Sequence, residues 1–299
     1  MKNESRRPCP ACSSEQAAFC GSKNNFDIFV CGGCASIFTS QLPAEDEAED
    51  YDAYYTDANL AAPEFISERL REIISEFRGY RTTNRLLDIG FGSGTILNEA
   101  QDQGWDAFGT EVSRTAFDHA EKKGWRVFHG TLRDAGFEDG FFDVVTASEI
   151  LEHLPDPKQE LREIERILRP GGLFWATTPS AKSLSFRLMK EKWTIISPPE
   201  HTQIYSKTGA EMMLKKAGFE NIKLLTTALN PAEIVNYYRS PKKSVKNFDR
   251  VSRAYELNEK LTSSPFRKRI KDGLNQGLNL FQLGDSLKIF AEKRTDGEN

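Results

Sequence analysis

Three features are absent from this sequence of 299 residues, and each absence narrows the kind of protein it encodes. No run of about 18 apolar residues occurs, so no transmembrane helix is expected. The first ten residues are polar and basic and lack the apolar core of a secretory signal, which predicts a cytoplasmic protein. Neither charge sign dominates, since 40 basic residues stand against 44 acidic ones. That balance argues against binding to nucleic acid through overall charge.

Cysteine is absent beyond residue 34, and four of the five cysteines form two close pairs. The pairs are Cys9-Pro-Ala-Cys12 and Cys31-Gly-Gly-Cys34, with eighteen residues between them. In a reducing compartment this spacing is typical of a zinc ribbon rather than of disulfides. We therefore predict a zinc-ribbon-like module at residues 1–40, with Cys9, Cys12, Cys31 and Cys34 holding a structural Zn²⁺. Cys20 falls outside the pattern and is expected to be a small free thiol.

Regular alternation of short apolar runs and amphipathic stretches begins after residue 63. Strands are predicted at 85–89, 106–111, 125–128, 142–147, 173–178, 221–226 and 286–292, with helical patterns at 95–103, 113–123, 157–168 and 207–217. This order predicts an α/β fold over residues 64–299: a doubly wound, mostly parallel, seven-stranded, Rossmann-like sheet. Residues 41–63 are interpreted as a linker and lid carrying Tyr54 and Tyr55, and residues 230–283 as a helical cap.

A glycine loop directly follows the first predicted strand of that sheet. The segment 86–94 reads Leu-Leu-Asp-Ile-Gly-Phe-Gly-Ser-Gly, a buried strand, an acid and a loop that opens a helix. Glycine lets the backbone approach a ligand closely, and ligands bind such sheets at the carboxyl ends of the strands. Because dinucleotide sites use similar loops, the glycines alone do not identify the ligand.

Three details favour S-adenosylmethionine (SAM) over NAD. Asp88 stands just before the glycines, where a carboxylate would attract the amino group of a methionine moiety and repel a pyrophosphate. The spacing of Gly90, Gly92 and Gly94 differs from the G-x-G-x-x-G dinucleotide pattern. Glu111 ends the following strand, 23 residues after Asp88, where an acid can bind both ribose hydroxyls.

With these motifs in order, the sequence resembles the class I SAM-dependent methyltransferases over roughly residues 64–293. Asp88 to Gly94 matches the first motif of that family, and Glu111 matches its ribose acid. Thr131 and Leu132 lie where the family lines the adenine pocket, while residues 141–145 and 168–172 match the fourth strand and the turn before the fifth. The resemblance implies that Asp88, the three glycines, Glu111, Thr131 and Leu132 bind the cofactor. Ser148 and Glu149, directly after the fourth strand, are expected to contact cofactor or substrate.

The segment 149–157 resembles the ubiquinone-biosynthesis O-methyltransferase subgroup, which carries a similar acid-x-x-Glu-His element. This resemblance implies a divalent metal held by Glu149, Glu152, His153 and the later His201, near an acceptor hydroxyl. Two other interpretations stay open. Either His153 or His201 acts as a base without a metal, or these residues are only structural. Trp193 either walls an acceptor pocket or packs in the core.

The sequence therefore predicts a SAM-dependent methyltransferase, directed to oxygen, acting on a small metabolite or on a glycan or lipid-linked acceptor. Two alternatives are an RNA methyltransferase that docks through the zinc ribbon and a SAM-binding partner protein without turnover. Acidic residues are abundant next to the ribbon, which favours the small-molecule or glycan acceptor over nucleic acid. The residues do not identify the acceptor molecule, so transfer to nitrogen or carbon stays open beside oxygen, and the oligomeric state is not predicted.

Overall fold

A computed structural model describes residues 6–44, 51–56, 60, 63–239 and 265–295. Its strands are β1 (Ala17–Lys23), β2 (Phe26–Cys31), β3 (Ile37–Thr39), β4 (Arg85–Ile89), β5 (Asp106–Glu111), β6 (Arg126–His129), β7 (Phe142–Ser148), β8 (Leu168–Pro179), β9 (Gln203–Ile204), β10 (Phe219–Thr227) and β11 (Ser286–Lys293). Its helices are α1 (Tyr51–Tyr54), α2 (Glu64–Glu76), α3 (Thr95–Asp102), α4 (Arg114–Lys122), α5 (Pro157–Ile167), α6 (Leu184–Met189), α7 (Lys207–Ala217), α8 (Pro231–Arg239) and α9 (Pro265–Leu280).

Contacts divide the chain into two units. The first unit contains Met1–Ala48, Thr178–Ala210 and Leu224–Lys288, and the second contains Glu49–Thr177, Glu211–Lys223 and Ile289–Asn299.

The first unit contains a four-stranded sheet in the order β1-β2-β3-β9. β1 and β2 form an antiparallel hairpin whose tip is Asn24-Asn25, both with positive φ, as two-residue hairpin turns require. β3 pairs with β2, and β9 pairs with β3, so residues 203–204 extend the sheet formed by the cysteine-bearing segment. The limits of the ribbon module, residues 1–40, stay a prediction.

The core of the first unit joins that sheet to the segment that precedes β9. Phe26 and Ile28 of β2 pack in one buried cluster with Trp193 and Ile196. Trp193 is 1% exposed, so of its two predicted roles the structure supports packing. Burying a side chain of this size contributes a few kcal/mol.

A seven-stranded sheet follows the order β10-β11-β8-β7-β4-β5-β6, which confirms the predicted seven-stranded architecture. β4 is central and runs parallel to both β5 and β7, and β5–β6 and β7–β8 are parallel pairs as well. In the second unit, side chains of β4 and β7 pack with α2 and α3 around Phe77 and Trp175, whose ring centroids lie 6.1 Å apart.

Two helices that border this sheet begin with side-chain caps. Ser113 accepts a hydrogen bond from the amide of Ala116 at the start of α4, as predicted. Asp156 does the same for Gln159 at the start of α5, where Pro157 occupies the first turn. Each cap satisfies an amide that the helix itself leaves unpaired, which stabilises the structure by about 1 kcal/mol.

The predicted turn at residues 170–172 is part of a strand instead. β8 begins at Leu168, which pairs with Phe142 of β7, and the next pair joins Val144 to Leu173. Two steps along β7 therefore face five along β8, a large bulge. Gly171 takes a φ of 69° there, a conformation that glycine adopts without strain.

A buried carboxylate anchors the chain entering β4. Asp143 is fully buried, and its Oδ2 accepts hydrogen bonds from the amides of residues 82, 83 and 84. Its Oδ1 accepts one from Arg169 Nε at 2.6 Å. Burial alone would raise the pKa of Asp143, but these amides and the guanidinium outweigh it and lower the pKa.

The predicted cap at 230–283 contains α8 and α9, while residues 240–264 lie outside the described ranges, as does the acidic stretch 45–50. Among the helices that the structure describes, none combines the length and the apolar content needed to span a membrane.

Candidate active site

The carboxyl ends of β4, β5 and β7 bring three polar side chains of the second unit to one edge of the sheet. The parallel register pairs Asp88 of β4 with Gly109 of β5 on one side and with Thr146 of β7 on the other. Thr146 Oγ1 donates to Asp88 Oδ1 at 2.8 Å and fixes its carboxylate. Glu111, the last residue of β5, lies at the same edge of the sheet.

Asp88 is a carboxylate in an apolar setting. It is 2% exposed, and burial raises its pKa from 3.8 to about 7. The hydrogen bond from Thr146 opposes this rise in pKa, and the negative charge of Glu111 adds to it. A cation bound beside this carboxylate would stabilise its charged form and offset the cost of burying the charge.

The loop after β4 contains three glycines, at positions where a side chain would collide with neighbouring residues. Gly92 has a φ of 51°, and a Cβ there would lie 2.7 Å from the hydroxyl oxygen of Tyr55. Gly94 has a φ of 71°, and a Cβ there would overlap the ring of Trp125. Gly90 likewise has a positive φ. All three predicted glycines therefore belong to one tight turn in which only glycine fits.

Glu111 ties this loop to the next one. Its Oε2 accepts a hydrogen bond from the amide of Gly92 and its Oε1 accepts one from the amide of Ser113, each at 2.9 Å. A carboxylate oxygen accepts two hydrogen bonds, so each oxygen has capacity for one more donor. Two neighbouring hydroxyls, as on a ribose, match that capacity.

A short segment of the predicted lid lies against both loops. Asp52 Oδ1 accepts a hydrogen bond from Ser113 Oγ at 2.9 Å and from the amide of Thr115 at 3.2 Å. These bonds lower the pKa of Asp52. Tyr55, three residues further along, places its hydroxyl above Gly92. The segment 51–56 thus extends from the start of α4 to the glycine loop.

The other predicted cofactor residues lie at the ends of β6 and β7. Leu132 is 1% exposed, while the hydroxyl of Thr131 donates to Asp134 at 2.6 Å. Ser148 Oγ lies 2.9 Å from Thr177 Oγ1. Glu149 is exposed, has a φ of 56°, and its amide donates to Thr177 O at 2.8 Å. This left-handed residue turns the chain sharply after β7.

The predicted acceptor residues come from both units. Glu152 is fully buried, and the ring of His153 meets that of Tyr51 edge-on with centroids 6.4 Å apart. Both belong to the second unit. His201 belongs to the first unit, where its Nδ1 lies 2.8 Å from the carbonyl oxygen of Ile195. A carbonyl only accepts, so Nδ1 carries a proton.

Four thiols of the first unit form a candidate metal centre. The Sγ atoms of Cys9 and Cys34 are 3.7 Å apart, those of Cys12 and Cys31 are 3.5 Å apart, and all four lie within 4.8 Å of one another. Bonds of about 2.3 Å to a tetrahedral Zn²⁺ place thiolates roughly 3.8 Å apart, so the cluster fits this ion.

The two cysteine pairs share one backbone pattern. Cys9 accepts at its carbonyl from the amide of Ser13, and Cys31 accepts in the same way from Ala35. Ser13 and Ala35 both have positive φ values, 65° and 62°. The two loops thus present their thiols through the same turn, which suits a site with two equivalent halves.

Comparison with known proteins identifies the family of this chain. Residues 63–224 match a family described as a methyltransferase domain, which is more than half of the chain. The chain belongs to this SAM-dependent methyltransferase family. The chain is 30% identical over 159 residues to a ubiquinone biosynthesis O-methyltransferase of Cereibacter sphaeroides, an alignment that covers 49% of this chain and 64% of that protein. A second such enzyme, from Aromatoleum aromaticum, is 29% identical over 160 residues, which cover 49% of this chain and 68% of that enzyme.

Solved structures share the fold of this chain. A SAM-dependent methyltransferase from Archaeoglobus fulgidus superposes with a TM-score of 0.54 at 21% identity, over 82% of this chain and all of that one. A Haemonchus contortus phosphoethanolamine N-methyltransferase in complex with SAM gives a TM-score of 0.54 at 20% identity, over 87% of this chain and 62% of that one. At this level of identity the likeness concerns the fold alone.

Sequence reasoning missed two side chains that organise the site. Thr146 holds the carboxylate of Asp88, but it is one polar residue within a buried strand, and only the register of β7 against β4 makes it a partner. Asp52 binds the start of α4, and its position two residues from the predicted lid tyrosines was the one available signal.

Proposed function

We propose that the protein is a SAM-dependent O-methyltransferase for a small metabolite or for a glycan or lipid-linked acceptor. The observation that carries the proposal is the pair of buried carboxylates, Asp88 and Glu111, at the ends of neighbouring parallel strands with the glycine loop between them. When bound, SAM supplies a methyl group on a sulfonium, which is a good leaving group, so positioning is the main task of the chain.

Each carboxylate has a distinct role in this proposal. Asp88 binds the amino group of the methionine moiety, because a cation offsets the cost of keeping this carboxylate buried. Glu111 accepts the two ribose hydroxyls with the capacity that its two amide bonds leave. Thr131, Leu132, Ser148 and Glu149 contact the adenine or the substrate.

Residues 51–56 serve as a lid in this proposal. Asp52 attaches the segment to α4, and the Tyr55 hydroxyl above Gly92 is in reach of a carboxylate bound at the glycine loop. Loss of the lid would release cofactor faster rather than abolish its binding.

For the acceptor, we propose that an imidazole takes the proton of the attacking hydroxyl. His153 and His201 are the candidates, and because Nδ1 of His201 donates to Ile195 O, Nε2 is the ring nitrogen that would take the proton. The names of the ubiquinone-biosynthesis relatives support transfer to oxygen. The divalent metal predicted from the sequence is the alternative way to lower the pKa of the hydroxyl.

The four cysteines are proposed to hold one structural Zn²⁺. A site filled by four thiolates has no open position for substrate. Metal analysis of the purified protein should give about one zinc per chain, and Cys12→Ser should lose it while Cys20→Ser retains it. Less than about half a zinc per chain in the unaltered protein would contradict this site.

The methyl-transfer proposal is tested with labelled SAM. Purified protein is incubated with methyl-labelled SAM and fractionated host extract, and the labelled product is identified by mass. We expect label in a small-molecule or glycan fraction as an O-methyl group, and loss of labelling with Glu111→Ala. Label only in RNA, or no transfer to any fraction, would overturn the proposed function.

A further inference from the structure

The tip of the β1–β2 hairpin lies against the segment that carries His201. Lys23 Nζ donates a hydrogen bond to the carbonyl oxygen of Trp193 at 3.1 Å. Asn24 Nδ2 donates to the carbonyl oxygen of Pro198 at 2.7 Å. Both bonds run from side chains of the hairpin tip to main-chain atoms, so they fix the path of the segment whatever its side chains are.

Inside that segment, further bonds lead from the hairpin contacts to His201. The amide of Ile196 donates to the same Trp193 carbonyl at 3.0 Å, and the amide of His201 donates to Ser197 O at 3.2 Å. The Nδ1 proton of His201 binds Ile195 O. The two carbonyls that bind His201, those of residues 195 and 197, therefore lie in sequence between the carbonyls of Trp193 and Pro198, which the hairpin binds.

A second support comes from α8. Glu233, which is 6% exposed, accepts with Oε1 from the amide and the hydroxyl of Thr194 at 3.0 and 2.7 Å. Burial lowers the pKa of Lys23, while the negative charges of Glu233, Glu191 and Glu200 oppose that decrease. The ammonium and the carboxylate therefore stabilise each other on either side of the 193–194 backbone.

We propose that the β1–β2 hairpin is a positioning element for His201, in which Lys23 and Asn24 hold the segment 193–201 so that the imidazole keeps its Nδ1–H bond to Ile195. The inference rests on the proposed function in so far as His201 serves the acceptor.

The experiment follows the His201 ring directly by NMR. The chain has four histidines, so ¹⁵N-histidine labelling gives a simple spectrum, and His201→Gln assigns the signal. Asn24→Gly removes the amide but tolerates the positive φ of 48°. Asn25→Gly is the matched control, because Asn25 lies in the same turn with a φ of 66°. Lys23→Ala is compared with Lys192→Ala, at an exposed lysine beside Trp193.

We expect a slowly exchanging Nδ1 proton on His201 in the unaltered protein and in both controls. In Asn24→Gly and Lys23→Ala it should exchange roughly five- to tenfold faster, as expected when one supporting hydrogen bond is lost. Lys23→Arg should restore slow exchange. Unchanged exchange in both test variants, or equal acceleration in the controls, would overturn the inference.

Binding of S-adenosylhomocysteine, measured by calorimetry on the same variants, separates this inference from the proposed function. Unchanged binding with altered His201 exchange supports both. Absent binding in the unaltered protein would contradict the proposed function while leaving the His201 result to be judged by itself.

Discussion

Replacing Asp88 by asparagine should make the free protein more stable at neutral and alkaline pH while weakening cofactor binding. The carboxyl is buried at the end of β4, and burial raises its pKa from 3.8 to about 7. A carboxyl whose pKa is raised by folding keeps its proton in the folded state and loses it in the unfolded chain. Stability therefore falls as the pH increases from about 4 to about 7, and the Asp88→Asn variant would not show that loss.

The magnitude follows from the pKa values. A rise from 3.8 to about 7 corresponds to about 4 kcal/mol of destabilisation once the pH exceeds 7. At pH 5 the same calculation gives a destabilisation of about 1.7 kcal/mol. The stability of Asp88→Asn relative to the unaltered protein should therefore grow by about 2 to 3 kcal/mol between pH 5 and pH 8. The asparagine amide oxygen can still accept the hydrogen bond from Thr146, so that bond is preserved.

The assay is denaturant unfolding of both proteins at several pH values without cofactor. The cost of burying the new amide does not depend on pH, so the change in the stability difference with pH is the quantity to measure. A difference in unfolding free energy between the two proteins that stays constant from pH 5 to pH 8 would refute the argument that burial raises the pKa of Asp88. With saturating cofactor present, the advantage of Asp88→Asn should shrink by about 1.5 to 3 kcal/mol, because the variant loses a charge-assisted hydrogen bond to the ligand.

Four further predictions concern neighbouring groups. Asp143→Asn should destabilise by about 3 to 5 kcal/mol, because it leaves the partly buried Arg169 uncompensated; unfolding midpoints in urea give the value. Ser113→Ala should cost about 1 kcal/mol through its lost cap, measured in the same way. Tyr55→Phe should raise the S-adenosylhomocysteine dissociation constant severalfold, seen as a faster dissociation rate in stopped flow. Affinity for S-adenosylhomocysteine should fall as the pH drops below about 7, where Asp88 takes up a proton; titration calorimetry from pH 6 to pH 8 checks this.

Local signals in the sequence were sufficient for the elements around the cofactor loop. β4 and β5 have the predicted limits, and the Ser113 cap is where the sequence placed it. In these stretches an apolar strand, a glycine and a capping residue follow each other within a few positions, so the pattern contains the information.

The rest depends on partners that are distant in the sequence. The strands β1 to β3 are only three to seven residues long, and the two-residue strand β9 that completes their sheet lies more than 160 residues further on. The bulge at Gly171 arises from the register of β8 against β7, which no local pattern specifies. The support of His201 by Lys23 and Asn24 is of the same kind, since it joins two segments that the sequence keeps apart.

Calorimetric titration of S-adenosylhomocysteine into the unaltered protein and into Glu111→Ala measures directly whether Glu111 and the glycine loop bind the cofactor. Glu121→Ala, at an exposed acid on α4, serves as the control. We expect saturable binding of one ligand per chain in the unaltered protein and the control, and its loss in Glu111→Ala. No binding by the unaltered protein, or equal binding by all three, would contradict the assignment of Glu111 and the glycine loop to the cofactor.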